Sequence, residues 1–298
     1  MTTASFSADT TRAVTEAACA EAGIPSDDAR LMRLGENALF HIPSCSVVVR
    51  IARTMDYWAD VVREVAVSKW LHQAGISAAQ VVDSVGQPLA VDGHPVTFWR
   101  FISGEPAPYS RIGDLGSLLR RLHGLEPPAE LQLPNEDILD RVQPRVEKAP
   151  IAESDRRFLL RRLDELSDEV AALEYVLPAS AVHGDAHIGN IMIAEDGAPV
   201  LIDFERFAYG QPEWDLGMTA TEFRTAGWWS DAQYQTFVDA YGFDVTQWSG
   251  FRTVQAVHQL KMTTWIMQNV QESQDIADEY DARMRTIRDG LASTWSPR

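Results

Sequence analysis

Hydrophobic and polar residues follow different periods in the first third of the chain and in the remainder. An amphipathic stretch over residues 7–22, with Ser7 or Asp9 as its cap, predicts a helix that ends at Gly23. Short apolar runs with strand-like alternation then take over. The predicted strands cover residues 30–34, 38–42, 46–51, 81–85 and 96–102, and a helix is predicted over residues 57–74.

From residue 103 onward the period is almost entirely helical. Residues 103–108 form an irregular run rich in proline and glycine, which is typical of a hinge. The predicted helices cover residues 112–123, 138–148, 154–175, 230–241, 247–270 and 274–291, and a further helix opens at Pro212. We therefore predict an α+β fold with a β-rich N-terminal lobe (1–99), a hinge (100–105) and a mainly helical C-terminal lobe (106–298).

One β-hairpin interrupts the helical part. Asp196-Gly197 lies between two short apolar runs and predicts a two-residue turn. That turn sets Asn190 opposite Asp203, with Cβ atoms ~5 Å apart. An amide and a carboxylate oxygen suit Mg²⁺, which shares its remaining ligands with water and phosphates. Asp185, on the preceding loop, brings a third oxygen group to the same end.

Each of these residues also has an ordinary structural explanation, because Asn and Asp are common beside turns and at strand ends. The combination argues for chemistry. Several acids gathered at one hairpin end are expected only where a cation lies between them. The polar residues concerned are His183, Asp185, His187, Asn190, Asp203 and Glu205.

The segment from His183 to Asn190 reads HGDAHIGN, and that from Ile202 to Glu205 reads IDFE. They resemble the H-G-D-x-H-x-x-N loop and the I-D-[FW]-[ED] motif of the aminoglycoside phosphotransferase and choline kinase-like families. This resemblance implies a protein-kinase-like bilobal fold and ATP-dependent phosphorylation of a small-molecule hydroxyl. It also implies that Asp185 accepts the hydroxyl proton, while Asn190 and Asp203 hold Mg²⁺ on the nucleotide phosphates.

A nucleotide site is expected in the β-rich part. Arg50, near the end of the third strand, corresponds to the phosphate-binding cation of the family, although Arg53 lies close enough to compete. Glu64 lies on the margin of the apolar stripe of its helix, where a carboxylate is expected to pair with a cation, and Arg50 is the natural candidate. The alternative is that Glu64 is exposed and has a local partner in Arg63 or Lys69. The remaining predicted nucleotide-binding residues are Asn37 in a reduced glycine loop, and Arg100, Phe101 and Ile102 beside the adenine.

Three residues are expected to support the loop around Asp185. The resemblance implies that Asp215 holds the loop backbone, whereas its position in the first turn of a helix also suits a carboxylate that complements the helix dipole. His183 and His187 belong to the loop itself, and for His187 we favour buried support over catalysis.

The acceptor site is the least specified part of the chain. Acids and aromatic rings of the C-terminal helices suit a cationic acceptor, although tryptophans more often belong to the core. The residues predicted to bind acceptor are Glu205, Glu222, Trp265 and Glu272, with Asp275 and Glu279 nearby in sequence. Candidate acceptors are aminoglycoside-like or other antibiotics, which would confer resistance, or metabolic choline-like amines, amino alcohols and sugars. ATP and GTP both remain open.

Composition narrows the possible partners. A formal net charge of −17 disfavours nucleic acids and anionic membranes. The charge suits a cationic acceptor, but an acidic proteome would explain it equally well. Two cysteines exclude a disulfide framework and a zinc-binding cysteine cluster. With neither a secretory signal nor a membrane-spanning stretch in the sequence, we expect a cytoplasmic monomer or homodimer.

Two other functional classes are alternatives to a kinase. A metallophosphoesterase would share Asp185, His187 and Asn190, but the earlier D-x-H pair that such enzymes use is missing, and His258 is the only histidine after His187. A nucleotide-binding pseudokinase would serve partner binding rather than turnover. The complete set of catalytic groups argues against the pseudokinase.

Overall fold

The computed structural model describes residues 6–290 and 295–297. Helices occur along the whole described chain and dominate its second half. They are α1 (Ala8–Ala22), α2 (Trp58–Gln73), α3 (Ile112–His123), α4 (Val142–Lys148), α5 (Glu153–Ala171), α6 (Pro212–Thr221), α7 (Asp231–Tyr241), α8 (Phe251–Ile266) and α9 (Gln274–Asp289). Among the described residues, no helix is both long and apolar enough to cross a membrane.

The strands are short and antiparallel within their sheets. They are β1 (Arg30–Leu34), β2 (Asn37–Ile42), β3 (Val47–Ala52), β4 (Leu89–Val91), β5 (His94–Arg100), β6 (Gly104–Pro106), β7 (Ser180–Val182), β8 (Ile191–Ala194), β9 (Pro199–Leu201) and β10 (Ala208–Gly210). The α+β class predicted from the sequence is therefore confirmed.

The chain divides into two compact units that are each discontinuous in sequence. The first unit comprises the chain as far as Ala107 together with Pro127–Leu133 and Gly189–Phe207. The second comprises Pro108–Glu126, Pro134–Ile188 and the chain from Ala208 onward. The HGDAHIGN segment, which we call the HGD loop (residues 183–190), thus passes from the second unit into the first.

The first unit is built on a five-stranded sheet in the order β1-β2-β3-β5-β4. Burial along β2 alternates strictly, so that Ala38, Phe40 and Ile42 face a core to which α1 also contributes. This is the period of two expected of a strand with one buried face. Ser7 caps α1 through a capping box with Thr10, which fixes the start of that helix.

A second sheet of the first unit, in the order β6-β8-β9, contains the predicted hairpin. Its register differs from the prediction by one residue. Ile191 pairs with Leu201, and Ala194 donates to Ala198 across a three-residue loop that contains Gly197 at a φ of 82°. Asp-Gly also fits the last two positions of such a loop, where glycine takes the left-handed conformation. Asn190 consequently lies opposite Ile202 rather than Asp203.

Several other predicted elements differ from the structure, among them the helix predicted over 247–270, which is limited to Phe251–Ile266. Residues 81–85 do not form a strand: Val81 makes one isolated bridge to Trp99, and the edge strand is β4 instead. The helix predicted over 138–148 begins only at Val142, and the helix predicted over 154–175 ends at Ala171. Leu291, the predicted end of the last helix, lies outside the described residues.

The second unit packs its helices around an apolar core drawn from α4, α5, α6, α8 and α9. Its two-stranded sheet pairs β7 with β10, and β7 leads directly into the HGD loop. Helix α3 crosses α7 closely at Gly116, where an added Cβ would lie 2.6 Å from the carbonyl oxygen of Phe237. His123, the last residue of α3, belongs to the second unit, as do residues 183–188 of the HGD loop.

Candidate active site

Arg50 and Glu64 form an ion pair inside the first unit. Arg50 lies on β3 between Leu39 and Thr97 of the neighbouring strands, and its Nη1 donates to Glu64 Oε2. The Glu64 side chain is only 2% exposed. Burial raises the pKa of Glu64 to about 7, although the Arg50 charge opposes that shift. Burial would lower the pKa of Arg50, but its carboxylate neighbours raise it, so the guanidinium stays charged.

Asp203 and Glu205 contribute to the same charge cluster. Arg50 Nη2 lies 3.6 Å from Glu205 Oε2, and Asp203 is among the carboxylates that raise the pKa of Arg50. Arg63 Nη2 is 3.4 Å from the carbonyl oxygen of Glu205. The ion pair of Glu205 with Arg50 gives Glu205 an electrostatic role in this cluster, whereas an acceptor role for it stays a prediction.

The two predicted metal ligands lie at the end of the β8-β9 hairpin. Asn190 is buried, and its carbonyl oxygen accepts a 3.0 Å bond from the N–H of Ile202. In a regular strand the one-residue offset would direct the Asn190 and Asp203 side chains to opposite faces. Asp203, however, leaves the strand in the left-handed conformation with a φ of 66°, so strand alternation does not extend to it.

Amide and carboxylate oxygens are the hard donors that Mg²⁺ prefers. Within residues 6–290 and 295–297, no group of three or more His, Cys, Asp or Glu side chains could hold a metal ion by itself. Mg²⁺ commonly uses one or two carboxylates and takes its other ligands from phosphates and water. The donor pair Asn190 and Asp203 fits that mode of binding and does not fit an all-protein metal cage.

The other predicted nucleotide residues also lie in the first unit. Asn37 begins β2, and Arg53 Nη2 donates to Gly35 O over 2.7 Å. Arg100 and Phe101 use their backbone N–H groups within the protein, on Gln80 O and Ser46 O respectively. These two N–H groups are therefore already used within the protein, and adenine binding along residues 100–102 stays a prediction.

In the second unit the backbone of the HGD loop is fixed by Asp215. This carboxylate is buried and accepts the N–H of His183 at 2.7 Å and that of Gly184 at 2.9 Å. Gly184 has a φ of 77°, a conformation that glycine adopts without steric cost. Burial acts to raise the pKa of Asp215, but its hydrogen bond with His123 and the backbone donors hold it below the usual range.

His123 was not identified from the sequence. Its Nε2 lies 3.0 Å from Asp215 Oδ2, and its Nδ1 lies 2.9 Å from the hydroxyl of Tyr241. The side chain is 4% exposed at the end of α3. His123 and Asp215 are 92 positions apart, and no local pattern relates them. The support of the HGD loop thus extends through Asp215 to two further helices.

Asp185 is the predicted catalytic base. Its side chain is 46% exposed, and its Oδ2 lies 3.7 Å from His187 Nε2. Partial desolvation acts to raise the pKa of Asp185, but the hydrogen bond and charge of His187 hold it well below its usual range, with smaller contributions from Lys261 and His183. Lys261, on α8, was also not identified from the sequence. Asp185 is therefore ionised at neutral pH and accessible to solvent.

Glu222 is a second acid close to this loop. It begins a π-helical turn, Glu222–Ala226, and is 4% exposed. Trp229 Nε1 donates to its Oε2 over 2.8 Å. Burial raises the pKa of Glu222 to about 7, and the charges of His187 and Asp185 act on it as well. The Tyr109 ring lies 4.7 Å from the Trp229 ring and is 41% exposed, so an aromatic surface borders the acid.

The remaining predicted acceptor residues do not join this cluster. Trp265 is 47% exposed on α8, and Glu272 is exposed in the turn before α9. Among the described residues no hydrogen bond or ring contact connects either of them with Glu222. Glu279 is buried and forms an ion pair with Arg283, with Nε 2.6 Å from Oε1. This pair accounts for the burial of Glu279 without an acceptor.

A family profile described as "Phosphotransferase enzyme family" matches residues 35–252. The chain belongs to this family. It is therefore a phosphotransferase that uses a hydroxyl acceptor, and the resemblance carried by the HGDAHIGN and IDFE motifs is confirmed. No curated protein sequence matches the chain.

Solved structures of kinases match the fold of this phosphotransferase over almost its whole length. An amicoumacin kinase in complex with AMP-PNP and Ca²⁺ has a TM-score of 0.76 at 15% identity and covers 97% of both chains. A microcompartment-associated aminopropanol kinase has a TM-score of 0.74 at 16% identity, covering 95% of this chain and 99% of its own. An APH(2″) enzyme in complex with GDP and kanamycin has a TM-score of 0.66 at 14% identity, covering 93% and 98%. The protein-kinase-like fold is thus confirmed.

The raised pKa of Glu222 predicts a pH-dependent contribution to stability. In the unfolded chain a glutamate ionises near pH 4.5, whereas folded Glu222 keeps its proton up to about pH 7. The contribution of Glu222 to the stability of the folded state is fully present below pH 4.5 and is lost as the pH rises through 7. Glutamine at this position cannot ionise, so Glu222→Gln should not show this loss. Between pH 4.5 and 7, the wild type should therefore lose about 3 kcal/mol of unfolding free energy relative to the variant.

Urea denaturation at several pH values from 4.5 to 8 measures this difference. Glu165→Gln, at an exposed position of α5, should follow the wild-type curve. If the unfolding free energies of the wild type and Glu222→Gln changed with pH in the same way, this would contradict the raised pKa of Glu222.

Proposed function

We propose that this phosphotransferase moves the terminal phosphoryl group of ATP or GTP, with Mg²⁺, to a hydroxyl group of an amine-bearing small molecule. The observation that carries the proposal is Asp185. Its carboxylate is ionised and solvent-accessible, on a loop whose backbone is fixed by Asp215. This arrangement supplies a positioned proton acceptor beside a reacting hydroxyl.

In the proposed reaction, Asp185 orients the acceptor hydroxyl and takes its proton as the oxygen attacks phosphorus. A new oxygen–phosphorus bond forms, and the bond to the nucleoside diphosphate breaks. Because the pKa of Asp185 is low, proton transfer is expected late, after the new bond has largely formed. Orientation of the hydroxyl is therefore the larger part of its contribution.

The residues of the first unit are proposed to bind the nucleotide. Arg50, held by Glu64, would contact the phosphates, with Asn37 and residues 100–102 as further contacts. When bound, Mg²⁺ would neutralise charge on the phosphates and would be held by Asn190 and Asp203. The nucleotide-bound relatives, one with AMP-PNP and one with GDP, support a nucleotide site without deciding between ATP and GTP.

The acceptor is proposed to carry an ammonium group near Glu222. A buried acid bordered by the Tyr109 and Trp229 rings suits an amine, because a cation is attracted both to the carboxylate and to aromatic faces. Aminoglycoside-like and other antibiotics fit this chemistry and would make the enzyme a resistance factor. An amino alcohol of metabolism is the second candidate, favoured by the likeness to the aminopropanol kinase.

Asp185→Asn should retain nucleotide binding and lose phosphoryl transfer. Asparagine keeps the shape of the side chain but cannot accept the proton, and loss of a positioned base commonly lowers the rate by about 10²–10⁴-fold. Product formation and nucleotide affinity are measured on the same preparation. Asp164→Asn, on the exposed face of α5, serves as the control. Retained turnover in Asp185→Asn would show that another group is the base.

Asp203→Asn should lose Mg²⁺-dependent nucleotide binding. The amide carries no negative charge to hold the cation, while asparagine tolerates the left-handed conformation of this position. Asp92 has a similar conformation with a φ of 48°, so Asp92→Asn is a matched control for the backbone. Titration of nucleotide binding against Mg²⁺ is the measurement. An unchanged metal dependence would exclude Asp203 as a ligand.

A panel of acceptors identifies the substrate class. Acceptor-stimulated ADP or GDP release is measured with aminoglycosides, other amine-bearing antibiotics, choline-like amines, amino alcohols and neutral sugars. Glu222→Gln should raise KM about tenfold for an amine-bearing acceptor, since one charged contact is lost. It should leave KM for a neutral acceptor unchanged. Phosphorylation of neutral sugars alone would contradict an ammonium site at Glu222.

A further inference from the structure

Residues 295–297, which we call the strap, make several contacts with the rest of the second unit. Trp295 is 1% exposed, and its ring packs with Ala226 and Met262. Its indole Nε1 donates to Thr286 Oγ1 on α9 over 3.1 Å. A large aromatic side chain that is both buried and hydrogen-bonded fixes the strap at its first residue.

A buried ion pair on α9 fixes the strap at its second residue. Glu279 Oε2 accepts the N–H of Ser296 at 2.9 Å, and Arg283 Nη2 donates to the Ser296 carbonyl at 3.0 Å. Arg283 also lies 4.9 Å from the Trp295 ring and donates to Met262 O over 2.9 Å. The pair thus binds both backbone groups of one residue. Buried ion pairs add little stability over apolar side chains, and their better attested contribution is to fix one arrangement.

The opposite edge of the strap holds the turn that follows α6. The N–H of Trp295 donates to Ala226 O over 3.3 Å, and Trp228 Nε1 donates to Trp295 O over 2.5 Å. Ala226 ends the π-helical turn, and Trp228 follows it after Gly227, which has a φ of 70°. The strap therefore connects α9 to the last residues of this turn.

The same turn carries Glu222 at its beginning. The N–H of Trp228 donates to Glu222 O over 3.2 Å, and the indole of Trp229 donates to the Glu222 carboxylate. Two hydrogen bonds, from Trp228 and Trp229, thus tie the residues after the turn back to Glu222. π-helical turns are rare, and they occur frequently at functional sites.

We propose that the strap positions Glu222 for acceptor binding, with Trp295 and Trp228 as positioning residues. Glu279 and Arg283 fix the strap, and the strap binds Ala226 and Trp228 at the end of the π-helical turn. Through these contacts it fixes the position of the Glu222 carboxylate at the beginning of the turn. The effect on acceptor binding rests on the proposed function, whereas the effect on the turn itself does not. All of these residues belong to the second unit, and none belongs to the predicted nucleotide site.

Trp228→Phe is the sharpest test, because it keeps an aromatic ring and removes the hydrogen bond from the Trp228 indole to the carbonyl of Trp295. The amide protons of Gly227 and Trp228 should exchange with solvent about tenfold faster, since local opening becomes easier. KM for an amine-bearing acceptor should rise about tenfold while KM for the nucleotide stays at its wild-type value. Trp295→Ala should show the same pattern more strongly.

Two controls separate positioning from general stability. Leu166→Ala removes a buried side chain from the helical core of the same unit, so it should lower the melting temperature and leave both the exchange rates and the acceptor KM unchanged. Trp295→Phe keeps an aromatic ring and the backbone bonds of the strap, and it should restore most of the acceptor affinity lost in Trp295→Ala.

Unchanged amide exchange in Trp228→Phe would overturn the proposal whatever the substrate. Equal shifts of the acceptor and nucleotide KM values would also overturn it, because they would indicate a general loss of structure. If the acceptor panel yields no phosphorylated amine, the proposed function fails, while faster exchange at residues 227 and 228 would still support the structural link from the strap to the turn.

Discussion

The HGD loop depends on the way in which one buried carboxylate is satisfied. An ionised acid removed from water costs several kcal/mol unless donors replace its hydration. Asp215 has three such donors: the N–H groups of His183 and Gly184, and the His123 ring. The conformation of Gly184 follows from the first two bonds, and the location of Asp185 follows from Gly184. A single acid thus converts a flexible glycine-containing loop into a fixed support for the predicted base.

Three buried acids show how different partners lead to different charge states. Asp215 is surrounded by donors, and its pKa lies below the usual range. Glu64 faces Arg50 yet has a raised pKa, because desolvation exceeds the attraction. Glu222 has one indole donor and a pKa of about 7. An acid close to its midpoint changes charge readily when a cation arrives. Asp215 is therefore suited to hold structure, whereas Glu222 is suited to respond to a ligand.

Site residues that lie close together in sequence could be predicted from it, whereas site residues that only the fold brings into contact could not. The spacing of Asp185, Asn190 and Asp203 lies within one short stretch, so their motif and the hairpin were accessible to sequence reasoning. The register was wrong by one residue, because Asp-Gly fits two loop lengths and no local pattern decides between them. His123 has its partner 92 positions away. A histidine at the end of an apolar helix gives no signal of that contact.

The proposed acceptor residue Glu222 is also held by contacts between segments far apart in sequence, which would explain why the motifs leave the acceptor undetermined. The motif residues are proposed to bind groups that are common to the reaction, namely the phosphates and the reacting hydroxyl. Glu222 lies in a π-helical turn, and the strap contacts the end of that turn through the indole of Trp228 and through a main-chain bond between Trp295 and Ala226. These contacts constrain the path of the chain but leave the other side chains of the turn free to vary. The proposed acceptor site, supported in this way, would be able to change its specificity while the fold and the HGD loop stay the same.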